Sequence, residues 1–193
     1  MPGEWTSGVV AWSGFVHRPS ILQQWVIAAR ASRDWRIPAW EANPFTASGE
    51  NMNDPYNLQR FVAAQEPVYE TVCEELRNGY KRSHWMWFIF PQIHGLGHSD
   101  MAKRYAIASR DEAIAYLDHA LLGKRLRECV SILLSLNEHS AEQIFGYPDY
   151  LKLHSSLTLF AHITDEKDVF NQCLIKYYGG KPDAGTAGLI RLT

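Results

Sequence analysis

The sequence predicts an all-α fold, a compact single-domain bundle of about eight short-to-medium helices, on three grounds. Apolar residues recur at the three- and four-residue spacing of one helix face through most of the chain after residue 53, most plainly at Leu122, Leu126, Cys129, Leu133 and Leu136. Ser or Asp stands where many of these stretches begin, and Gly or Pro where they end, which are the positions that cap and stop helices. The connections are short, as between helices packed side by side.

The 193 residues suffice for one well-buried domain with an appendage. Hydrophobic residues at 46% and charged residues at 21% give the balance of a folded soluble protein and exclude a disordered one. A net charge of -2 provides no global attraction to nucleic acid or acidic membrane, so such a partner would need a local patch. No apolar run is long enough to span a bilayer, and the opening residues lack the basic leader of a secretory signal. Cys73, Cys129 and Cys173 are odd in number, widely spaced and set in apolar helical patterns, as small buried hydrophobes in a reducing, cytoplasmic compartment.

Residues 1–52 form a Trp-rich N-terminal arm holding Trp5, Trp12, Trp25, Trp35 and Trp40, with one helix from Ser20 through Ile21, Leu22, Trp25, Val26 and Ala29. Packing on the main domain or on a second subunit would hide these rings, so the arm is a candidate for a homodimer contact. The main domain, 53–193, opens at Asp54-Pro55, read as N-cap and first helical position of a helix through Leu58, Phe61, Val62 and Gln65. Pro67 starts a second helix through Val68, Val72, Cys73 and Leu76 that ends at Asn78-Gly79. The segment from Trp85 to Phe90 is apolar on every side and suits a buried strand or a buried helix; Ser83 as cap and Pro91 as stop favour the helix.

Gly95-Leu96-Gly97 is a turn, and Ser99 caps the next helix. Ser109 with Glu112 spells a capping box before Ala113, Ile114 and Leu117. A long helix follows from Leu121 to Leu136, and Ser140 caps a short one ending at Phe145-Gly146. Pro148 opens a helix through Tyr150, Leu153, Leu157 and Phe160; another runs from Glu166 to Tyr178 and stops at Gly179-Gly180. Asp183 caps the last.

Three strings in this chain are HWMWFIFPQ, followed by GLG, Ser99 and Tyr105; FGYPDYLKLHSSLTLF; and YYGGKPDAGT. Together they resemble the domain of unknown function 1810 family, small proteins mostly of bacteria and fungi, over about Asp54 to Leu189. The resemblance implies a compact helical single domain, and it supplies no activity. Leu157 departs from the Met common in that family, a volume-conserving exchange. The arm before Asp54 has no counterpart in the pattern.

The polar residues of these strings are the candidates for a site. Asp149, Lys152 and Ser156 share one stripe of the helix opened by Pro148, and Ser155, Thr158 and His162 the neighbouring one. Short hydroxyls lower helix propensity and contribute little at a surface, which favours an inward role. Facing His84, Trp87 and Gln92, this stripe would line a pocket whose rings stack on a flat ligand while polar groups orient it, with Ser99, Tyr105 and Ser155 as further contacts. His84 and Asp149 are the candidate general acid and base, and Lys152 the anion contact. The structural alternative gives Asp149–Lys152 as a helix ion pair and the serines as spacers for close helix packing.

His84, His94 and His98 lack the companion ligands of a metal site, and no phosphate-loop or dinucleotide string is present, so neither a metal nor a cofactor is expected. The first functional expectation is a domain that binds a small flat anionic or nucleotide-like molecule, with acid–base chemistry on that molecule as its catalytic form. The second is a non-catalytic interaction or dimerisation module. A third, less favoured, is single-stranded nucleic-acid binding by Arg77, Lys81, Arg82, Lys103 and Arg104 with Tyr80, Trp85 and Trp87.

Overall fold

The computed structural model describes residues 54–137 and 139–191, which contain ten α-helices and no strand. The Trp-rich arm, with the helix predicted from Ser20, lies outside the described residues.

α1 (Gln59–Gln65) begins later than Asp54-Pro55 predicts. Pro55 sits in a turn, and the Asp54 carboxylate reaches across it to accept from Leu58 N at 2.7 Å and Gln59 N at 2.9 Å. α2 (Tyr69–Arg77) follows Pro67 and ends at Gly79, whose φ of +63° suits the left-handed exit from a helix. The central apolar segment is helical for one turn, α3 (Met86–Ile89). Ser83 does not cap it; its hydroxyl donates to Glu75 Oε1 at 2.7 Å. Trp85, Met86, Phe88, Ile89 and Phe90 are buried, and Trp87 stays partly exposed.

Beyond α3 the chain turns at Gly95, with φ +99°, and a single parallel bridge joins Ile93 to Ile107 on either side of α4 (Asp100–Arg104). α5 (Arg110–Asp118) completes only half of its predicted capping box. Ser109 accepts from Glu112 N, but the Glu112 carboxylate instead accepts from Ala108 N and pairs with Arg60. The reciprocal box forms at Ser140 and Gln143, ahead of α7 (Ala141–Phe145). Between them runs α6 (Leu122–Ser135), with Leu122, Leu126, Cys129, Val130 and Leu133 buried.

α8 (Asp149–Ile163) is the helix around which the others assemble: α3, α5, α7, α9 and α10 all pack on it. A helix surrounded on several sides has no solvent face along its middle, and every residue from Ser155 to Phe160 is buried. α9 (Val169–Tyr178) starts after Asp168, which accepts from Phe170 N, rather than at Glu166. α10 (Ala184–Ile190) is capped by Asp183 through Thr186 N at 2.7 Å. Edge-to-face ring contacts, such as Phe61 on Tyr116 at 5.0 Å and Phe88 on Tyr105 at 5.4 Å, tie the elements together in the core. No helix of the described residues is long and apolar enough to cross a membrane.

Candidate functional site

The site begins with Glu75, on the inner side of α2. Its carboxylate accepts from Arg82 N at 2.9 Å, from Ser83 N and Oγ, and from Trp85 Nε1 at 2.8 Å. Burial alone would raise this carboxyl, but the four donors outweigh it and hold Glu75 below the ordinary range. The connection from α2 to α3 is thereby fixed. A further backbone bond from Lys81 N to Ile144 O, 2.7 Å, sets that connection beside the end of α7, just ahead of α8.

Asp149 lies in the first turn of α8, where the partial positive charge of the helix end favours a carboxylate. One of its oxygens is 2.6 Å from Lys81 Nζ and the other 2.6 Å from Lys152 Nζ. Burial would raise its pKa, yet the hydrogen bonds from Lys152 and Lys81 prevail and keep the carboxyl below the usual range. The Lys152 ammonium also stands 4.5 Å from the centroid of the Trp87 ring, and Lys81 lies 5.1 Å from that of Trp85. Two cations on one anion leave the cluster with an excess positive charge at neutral pH, partly open to solvent at Lys152 and Trp87.

Asp149, Lys152 and Trp87 are therefore brought together, and Lys81 joins them. His84 is exposed and has no side-chain hydrogen bond among the described residues. Gln92 is half-buried, and its backbone carbonyl accepts from Ile107 N. Ser99 is occupied as the cap of α4, and Tyr105, 6% exposed, packs in the core. Ser155 Oγ is 3.4 Å from Asp183 Oδ2, and Thr158 Oγ1 accepts from Asp183 N at 2.8 Å. Ser156 is 1% exposed, and its hydroxyl has no partner among the described residues.

Sequence reasoning placed Lys81 on a basic flank and missed Glu75. The signal for Glu75 was present: a carboxylate three residues after Val72 and next to Leu76 sits on an apolar helix face, where it needs donors. The basic flank is divided among separate contacts. Arg82 lies over the Tyr80 ring at 5.6 Å and Arg77 faces Glu128 at 3.8 Å, while Trp85 is 1% exposed. The three cysteines are free and buried; burial pushes Cys173 up to about 12, and Cys73, lowered by its hydrogen bond with Cys129, is 2% exposed. Among the described residues no three His, Cys, Asp or Glu side chains gather as a metal site would require.

The family model described as a protein of unknown function (DUF1810) matches residues 55–190. The crystal structure of the conserved hypothetical protein Rv1873 from Mycobacterium tuberculosis is similar at 56% sequence identity, covering 72% of this chain and 100% of that one, with a TM-score of 0.71. No curated protein matches the chain.

Proposed function

We propose, for a chain that belongs to the DUF1810 family of proteins of unknown function, that the face built by Trp87, Lys152, Asp149 and Lys81 binds a small flat anionic ligand of the nucleotide type. The observation that carries this is Lys152 itself, held 2.6 Å from Asp149 and 4.5 Å over a partly exposed indole. An ammonium has three N–H donors and Asp149 uses one, so two remain for a phosphate or carboxylate while the indole offers a surface for a planar ring. Asp149 acts as a positioning residue. Fixed in its ionised form by two lysines, it is poorly suited to exchange protons near neutral pH, which favours binding over acid–base chemistry. His84 is the remaining candidate for proton transfer.

A second reading, an interaction module, draws on Tyr80, Tyr147 and Leu151, which are 57%, 80% and 43% exposed and lie on the segments that carry Lys81 and Asp149. Thermal unfolding in the presence of adenosine monophosphate, ribose 5-phosphate and adenine separates the two. Ligand binding predicts that the nucleotide stabilises wild type, by about 2.7 kcal/mol at a hundredfold excess over Kd, and that Lys152→Met and Trp87→Leu lose the response. No shift of wild type with any of the three would remove this reading and leave the interaction surface.

A further inference from the structure

A hollow lies away from Lys152, where the end of α8 faces α9 and α10. It is open to solvent on one side and has a volume of about 350 Å³, in the size range of small-molecule sites. Its existence follows from small residues on facing walls: Ala161 on α8 and Ala187 on α10, with Gly180 in the connection between α9 and α10. Leu174 and Pro182 supply further apolar lining.

We infer that this hollow binds a small organic carboxylate with an apolar body. Its lining contains one permanent cation, Arg191, together with His162, and no Asp or Glu. Both are exposed, so the charge sits where a ligand's head group would meet solvent, over an apolar lining. Two polar groups are already ordered. Thr158 Oγ1 accepts from Asp183 N at 2.8 Å, which leaves its hydroxyl proton to donate. Asn171 Nδ2 donates to Asp165 O at 3.0 Å and to Ala161 O at 3.5 Å, which fixes the amide. Arg191, an imidazole N–H and a hydroxyl are donors suited to a carboxylate, and the lining holds no carboxylate to pair with an ammonium head. Two of the family-like strings, the one containing Thr158 and the one containing Gly180 and Pro182, meet at this hollow, and Thr158 gains a role there that the Trp87 face does not give it.

The test uses three probes with one tail: hexanoate, hexan-1-ol and hexylamine, titrated into the isotopically labelled full chain and followed by backbone amide shifts. Hexanoate is expected to move the amides of Ala161, Asn171, Gly180 and Ala187 as one saturable set, hexanol more weakly, and hexylamine not at all. Arg191→Gln, an exposed change, should weaken hexanoate about tenfold. Ala187→Leu should fill the hollow and remove all responses, while Lys152→Met leaves them unchanged. Absence of the hexanoate response at these amides, an equal response to hexylamine, or full affinity in Arg191→Gln would each overturn the assignment, whether or not Ala187→Leu folds.

Discussion

Lys81 and Asp149 form an ion pair of 2.6 Å in which the lysine side chain is 7% exposed and the aspartate 15%. Because the second oxygen of Asp149 holds Lys152 at the same distance, one carboxylate is the counter-ion of two ammonium groups. Removing it leaves two like charges facing each other, whereas removing either lysine leaves a balanced pair. Asp149→Asn is therefore expected to destabilise by about 2–3 kcal/mol, at or just below what breaking a fully buried pair costs, because the site is partly open to solvent. Lys81→Met and Lys152→Met should each cost about 1 kcal/mol or less. Equilibrium urea unfolding of the three variants checks the order, and a Lys81→Met variant less stable than Asp149→Asn would refute the shared counter-ion.

Glu75 and Asp149 both have carboxyls lowered on folding, so the unfolded chain binds protons more readily than the folded one and stability rises with pH through that window. Their contribution is complete above the ordinary carboxylate values, about 4. It is lost as pH falls through the lower folded-state values. Glu75→Gln should cost about 2 kcal/mol near neutral pH, since an amide offers one acceptor oxygen to a cradle of four donors. The gap to wild type should then shrink below about pH 4. Denaturant midpoints at pH 7, 5, 4 and 3 test this, and a gap independent of pH would mean that the loss is one of packing alone.

Gly123 and Gly188 should respond to alanine in opposite directions. A Cβ at Gly123 would lie 1.9 Å from the carbonyl oxygen of Leu117, a backbone atom that cannot turn aside, because α5 and α6 meet there. Gly123→Ala is expected to destabilise by about 3 kcal/mol. Gly188 lies within α10 with nothing within 4 Å of its added Cβ, so Gly188→Ala should stabilise by up to about 1 kcal/mol through helix propensity. Thermal melts of the two variants measure the contrast directly.

The helices were legible because each depends on nearby residues: Ser99, Ser140 and Asp183 cap where their spacing places them. The boundaries that moved were those decided by a distant partner. The position of Ser83 predicts a cap but its hydroxyl donates to Glu75, and the Glu112 carboxylate leaves its own capping box for Arg60. The i,i+3 pair of Asp149 and Lys152 could be read from one helix. Lys81 could not, because its place beside Asp149 depends on how the α2–α3 connection lies against the end of α7. The hydroxyls of α8 were ambiguous for a related reason: periodicity cannot show that a helix is packed on several sides, and only that packing makes Ser155, Ser156 and Thr158 interior residues.

Those hydroxyls differ in a way stability can resolve. Thr158 accepts from Asp183 N and so supports the start of α10; Thr158→Val removes that acceptor and should cost about 1–2 kcal/mol. The hydroxyl of Ser156 is buried with no hydrogen bond among the described residues, so no described protein partner offsets the cost of its burial. Ser156→Ala removes the penalty and improves helix propensity, and is expected to be neutral or to stabilise by up to about 1 kcal/mol. Because Ser156 is 1% exposed, the same variant should leave the nucleotide response of the Trp87 face unchanged. Calorimetric unfolding with and without adenosine monophosphate reads both effects. A destabilised Ser156→Ala would show that the hydroxyl is satisfied by a buried water, and loss of the nucleotide response would place Ser156 in the ligand's path.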